Sequence, residues 1–181
     1  MVYQAFDYSV NLPTEEYIRR FRDTDKFMKS CRECGNFGCS WACPPFSNDT
    51  VEELLQYDSV LIVVTRMIPE RKDIPLAEVY DFMRPERLRL DRMMLDMERE
   101  KGGRYLAFSG TCLYCPEGTC TRKSGNPCRH PESVRPSLEA YGFDVGRTVA
   151  DLFDFEIKWS CDGYIPEYLT IVSALFYKDE V

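Results

Sequence analysis

Histidine is nearly absent from this chain: one in 181 residues, His130. That excludes a Ser/His/Asp or Cys/His catalytic set, because a lone histidine inside a cysteine-rich loop is a poor general base. No lysine- or arginine-rich run occurs, and the formal charge is −7. A general nucleic-acid binder needs a basic face, so that class is excluded too. Long apolar runs are also missing. The longest, Val60-Leu61-Ile62-Val63-Val64, is far too short to cross a bilayer. No Walker-type loop or Gly-x-Gly-x-x-Gly appears, which removes the usual signatures of nucleotide binding. There is no Cys-x3-Cys-x2-Cys run of the radical S-adenosylmethionine kind, no low-complexity tract and no linker. The first twenty residues lack a basic leader ahead of an apolar stretch, so no signal peptide and a cytoplasmic location are expected.

Cysteine, by contrast, is plentiful. Eight of the nine fall into two local sets that begin alike: Cys31-x2-Cys34-x4-Cys39-x3-Cys43 and Cys112-x2-Cys115-x4-Cys120-x7-Cys128. In a cytosolic chain, clustered thiols point to metal or catalysis, and an odd total fits a disulfide framework poorly. Four closely spaced thiols can wrap one centre without help from distant chain. Thiolate is a soft ligand that suits iron–sulfur clusters and zinc alike. Three features favour iron–sulfur. The loops are irregular, unlike the paired knuckles of many zinc ribbons. Cys39-x3-Cys43-Pro44 resembles the end of the bacterial ferredoxin cysteine run. Glycines within both loops allow backbone amides to approach sulfur. The expected cofactors are therefore two [4Fe–4S] clusters, with zinc as the alternative, and all eight cysteines are candidate ligands. Cys43 or Cys128 is a candidate to cross over to the other cluster, and Cys161 is a candidate replacement for Cys39. The simpler reading makes Cys161 a plain loop residue and His130 a solvated one.

With 44% hydrophobic and 29% charged residues, the chain has material for a real core. A single domain over 1–181 is expected, with metal loops at 31–45 and 110–131. Strands are predicted near 2–10, 60–65, 105–108 and 168–177. Helices are predicted from Pro13 towards Cys31, over 48–55, over 75–82, from Pro85 to Gly102, over 133–141 and over 145–153. That order argues for an α/β fold with a small mixed or parallel sheet flanked by helices. Glu139 reads as a helix-surface residue and Asp144 as an N-cap.

Larger pieces of the chain resemble a known family. They are Cys31-Arg-Glu-Cys34, Trp41-Ala-Cys43-Pro44-Pro45, Cys112-Leu-Tyr-Cys115 with Cys120, Cys128-Arg129-His130-Pro131-Glu132, and the run from Arg135 to Val145. Together they resemble the predicted metal-binding proteins grouped as domain of unknown function 2284. The resemblance implies metal binding and brings no particular reaction. Cys39 is not among the matching pieces. Without it the first set holds three local thiols, and it needs a distant fourth ligand or leaves one iron open. An open iron favours catalysis or substrate binding over plain electron transfer. The functional expectation is electron transfer with a redox partner protein. The alternatives are an iron–sulfur redox enzyme or reductive activator, and a zinc-stabilised interaction module.

Overall fold

A computed structural model describes residues 2–110 and 112–179. The run of apolar residues from Val60 forms the middle of β2 (Ser59–Pro69), an interior strand of a four-stranded sheet. β1 (Tyr3–Pro13) is the edge on one side, and β4 (Leu169–Tyr177) then β3 (Arg104–Leu106) follow on the other, in the order β1-β2-β4-β3. Alternation along β2 and β4 feeds two separate cores. Val60, Ile62, Val64, Val172, Ala174 and Phe176 face one, and Val63, Met67, Leu169, Ile171 and Leu175 face the other. Burial on both faces is why these strands read as continuous apolar runs.

The fold is α/β, but every strand pair is antiparallel, where the alternating order of elements suggested mixed or parallel strands. The cause lies in where the chain re-enters. Pro13 ends β1 opposite Ser59, the first residue of β2, so the long excursion between them leaves and returns at the same end of the sheet. A parallel pair would need a crossover to the opposite end.

That excursion carries α1 (Thr14–Phe21), α2 (Thr24–Glu33) and α3 (Thr50–Leu54). The single helix expected from Pro13 to Cys31 is two. The chain breaks at Arg22, and the Asp23 side chain accepts from the Lys26 amide to start the second helix. Cys31 therefore sits in the last turn of α2, and the irregular loop begins only at Cys34. The helices expected over 75–82 and from Pro85 merge after one 3-10 turn into α4 (Val79–Lys101). Pro85 is inside this helix and does not start it. Gly102, at φ 59°, ends it in the left-handed conformation. The neighbouring Gly103 has no room for a side chain, since a Cβ there would lie 2.4 Å from the Phe176 carbonyl oxygen.

The helix expected over 133–141 is absent apart from a 3-10 turn, Glu139–Tyr141. Pro136 interrupts the segment, and its backbone pairs alongside β3. The Ala107 amide donates to the Pro136 carbonyl at 2.7 Å and the Leu138 amide to the Ala107 carbonyl at 3.2 Å. α5 (Val145–Phe153) follows with Asp144 as its N-cap, its side chain accepting from the Arg147 amide at 2.9 Å. No helix among the described residues is long and apolar enough to cross a membrane.

Candidate metal centres and an adjoining cavity

The first cysteine set is built by a helix end followed by tight turns. The Cys34 amide closes on the Cys31 carbonyl at 3.1 Å, the Cys39 amide on Asn36 at 3.0 Å, and the Cys43 amide on Ser40 at 3.1 Å. Cys31, Cys34 and Cys43 line one cavity of about 290 Å³, joined there by Cys112 from the second loop. These three thiols act on one another. Burial first, then Cys34 and Cys31, push the Cys43 thiol up to about 11, against the opposing hydrogen bond from Ser40. Burial, Cys34 and Glu139 raise Cys31 in the same way. Thiols held up like this bind metal only by releasing protons. Cys39 lines a different cavity, of about 300 Å³, together with Cys112, Cys115, Cys120 and Cys128. The first quartet in the sequence is thus three and one in space.

In the second set, burial raises the Cys112 thiol, the Tyr114 amide opposes it, and Cys115, Cys128 and Cys120 add to the rise. Two donors already reach sulfur. The His130 amide lies 3.3 Å from Cys128 Sγ, and Arg129 Nη1 lies 3.7 Å from Cys115 Sγ. His130 is half-buried in this cavity, with its ring 5.6 Å from that of Tyr114, so it is not the freely solvated residue expected. Cys161 is exposed and lines none of these cavities. All nine cysteines are free of disulfides. Among the described residues, no group of three or more His, Cys, Asp or Glu is drawn together tightly enough to hold a single metal ion.

One arginine ties the two loops. Arg122 Nη1 donates to the Ser40 carbonyl at 2.7 Å and to the Cys43 carbonyl, and Nη2 donates to the Pro45 carbonyl. Its guanidinium lies 5.2 Å from the centre of the Trp41 ring. The two thiol-lined cavities consequently abut, sharing Asn36, Cys112, Tyr114 and Val134.

Behind the first set stands a polar layer that sequence reasoning missed. Arg87, Asp91 and Glu98 are buried charges on α4, spaced four and seven residues apart and so on one helical face. Asp91 accepts from the hydroxyls of Tyr105, at 3.2 Å, and Tyr114. Burial leads the shift of its carboxyl, which stays above the ordinary range although those hydroxyls oppose it. Glu98 takes a bidentate grip from Arg135 and also accepts the Tyr105 amide at 2.7 Å. The available signal was the charge spacing along a helix whose other buried residues there are Leu90, Met94 and Leu95.

Glu139 is the second residue missed. It is not on a helix surface. Its Oε2 is buried without a hydrogen-bond partner, and burial raises its carboxyl against the opposing pull of its own backbone, Ser109 and Ser137. It stands where the first-set cavity meets a third cavity of about 250 Å³; Tyr80, Arg87, Phe108, Ser109 and Gly110 line both as well. Trp159 belongs to this third cavity, Trp41 to the second thiol cavity, and Tyr114 to both thiol cavities.

No curated protein and no solved structure matches the chain. A family match covers residues 18–176, and with it both cysteine sets, the Arg135–Val145 run and most of the sheet. By that match the chain belongs to the family described as predicted metal-binding protein, domain of unknown function 2284.

Proposed function

We propose that the protein carries two iron–sulfur clusters of the [4Fe–4S] kind and moves electrons between them and a redox partner protein. The observation that carries this reading is that two interacting thiol sets line abutting cavities, with Cys112 on both. The donor chemistry fits: eight thiols, with amide and guanidinium donors already directed at sulfur. Cys112, Cys115, Cys120 and Cys128 would hold one cluster, and Cys31, Cys34 and Cys43 the other. When bound, such clusters supply reversible one-electron chemistry.

The chain's own residues set the conditions. Arg122 fixes the distance between the loops, and Asp91, Arg135 and Tyr114 supply the polar wall. Four thiolates around a 2+ cluster core leave about −2 and three leave about −1, adding to an already acidic chain, so the partner offers a basic surface.

A second reading, an iron–sulfur redox enzyme or reductive activator, is favoured by the three-and-one split. With Cys39 in the other cavity, the first set has three local thiols and an organic-sized cavity beside it. The test is iron, sulfide and zinc content with a UV–visible spectrum on protein purified without oxygen. About eight iron and eight sulfide per chain, with absorbance near 400 nm that bleaches on reduction, is the expected result. Zinc alone, in a colourless sample that reconstitution fails to darken, would end the redox reading and leave a structural module.

A further inference from the structure

We infer that the third cavity is a binding site for a small, neutral organic molecule, apolar at one end and carrying a hydroxyl or carbonyl at the other, which it seats beside the first cysteine set. The binding itself stands on the cavity alone; only the delivery to a redox centre rests on the function proposed above.

The walls decide the apolar end. Leu76, Val79, Met83, Ile157, Leu169 and Val172 come from α4, the turn before it, β4 and the segment leading to β4. At about 250 Å³ the space lies just below the range usual for small-molecule sites, about 300–1,000 Å³, so the occupant is small. Its rim is unusually apolar for solvent-facing chain. Trp159 is 78% exposed, Tyr80 55% and Leu76 41%. Large apolar residues gathered at one opening mark a place where something else makes contact.

Two orphaned oxygens decide the polar end. Glu139 and Thr170 are lining residues of this cavity, and Glu139 Oε2 and Thr170 Oγ1 are buried with no hydrogen-bond partner. Buried polar atoms nearly always have partners, so two exceptions among the lining residues of one cavity call for a ligand group that small side-chain movements bring within reach of them. A hydroxyl, which donates and accepts, or a carbonyl facing the threonine, answers that need.

Charge decides neutrality. The one buried cation on the wall, Arg87, is already engaged: it donates to the Ser109 carbonyl at 3.3 Å and lies 4.8 Å over the Phe108 ring. A carboxylate ligand would gain little there and would meet Glu139 on the same lining, while Lys158, the other cation of the lining, is exposed and screened by solvent.

Phenol, toluene and benzoate, titrated into anaerobically purified protein and followed by ligand-observed NMR, test this directly. Phenol is expected to bind saturably and benzoate at least ten-fold more weakly. Thr170→Val keeps the shape and removes the hydroxyl. It should weaken phenol about two- to ten-fold while leaving toluene within about two-fold. Val79→Trp fills the space and should abolish both, with melting temperature and metal content unchanged. In iron-loaded protein, bound phenol should show paramagnetic line broadening. Benzoate binding as tightly as phenol, equal effects of Thr170→Val on phenol and toluene, or no saturable phenol binding would each overturn the assignment. A colourless zinc protein that still binds phenol would leave the cavity assignment standing and remove the redox function. An iron–sulfur protein that binds no phenol would do the reverse.

Discussion

Removing the guanidinium of Arg122 should loosen both cysteine loops at once. That side chain makes three hydrogen bonds to carbonyls 77 to 82 residues away and covers the Trp41 ring. Bonds from a charged donor contribute about 1.5–3 kcal/mol each where they are buried. Arg122 is half-exposed, so solvent screening brings each closer to about 1 kcal/mol. The ring contact adds about 0.5–1 kcal/mol. Against this gross sum of about 4 kcal/mol, a freed side chain recovers up to about 2 kcal/mol of rotamer entropy. Arg122→Met should therefore lose about 2–3 kcal/mol. For a chain of this size each kcal/mol shifts the melting point by about 2–4 °C, so the expected fall is about 4–12 °C. Arg122→Lys should recover only a minor part, because a single ammonium lacks the planar fork that spans several acceptors. The assay is thermal and urea unfolding of anaerobically purified protein, with metal release to a chelator followed in parallel. Release from both sets should quicken together. A fall below about 2 °C with unchanged release would refute the view that this residue holds the loops in register.

Four further outcomes follow from the same geometry. Cys39→Ser should leave the iron content of the first set intact, whereas Cys43→Ser should remove that set's cluster; iron analysis of the two variants decides, and equal losses would return Cys39 to the first set. Glu98→Ala strands the guanidinium of Arg135, which is only 14% exposed, and breaking such a pair costs about 3–5 kcal/mol, measurable by urea unfolding. Gly103→Ala should destabilise the junction of α4 and β3 by more than 2 kcal/mol or so, since its new Cβ meets backbone that no side-chain rotation can relieve. Asp144 supplies a pH test. Burial works against its charge, but the Arg147 amide and the Lys26 ammonium outweigh burial and hold its carboxyl below the usual carboxylate range. A depressed folded value means the contribution is complete above the unfolded value of about 3.9 and is lost as pH falls through the folded one. The stability gap between wild type and Asp144→Ala should then be about 1 kcal/mol at neutral pH and shrink below about pH 4. A gap that stays constant down to pH 2.5 or so would contradict this.

Much of the local structure was legible because short-range rules produced it. The unbroken apolar run at Val60 marked an interior strand, Asp144 marked a helix start, and Gly102 marked a helix end. Where those rules misled, a long-range pairing had overruled them. Pro85 looked like a helix start, yet α4 runs through it because its flanking residues Phe82 and Leu90 are buried in one core. Residues 133–137 looked helical, yet Pro136 and Leu138 pair with Ala107 instead. The helix that seemed continuous splits at Arg22 and Asp23, where Arg22 pairs with Phe143 and the Asp23 amide donates to the Gly142 carbonyl at 2.8 Å.

The cysteine sets divide in the same way. Spacing alone singled out eight thiols as candidate metal ligands, because ligands a few residues apart need only local turns to converge. Spacing had no means of assigning Cys39 to the cavity of the second set, of placing Cys112 on both, or of joining the loops through Arg122, since those relations cross about eighty residues. The antiparallel direction of the sheet, the burial of Glu139 and the apolar cavity beside the first set likewise depend on which distant segments meet. Composition, hydrophobic period, caps and ligand spacing are properties of neighbours along the chain, and the sequence by itself determined them. Strand direction, the division of the thiols and the presence of a third cavity are properties of neighbours in space, and only the packing of the two cores against one sheet decided them.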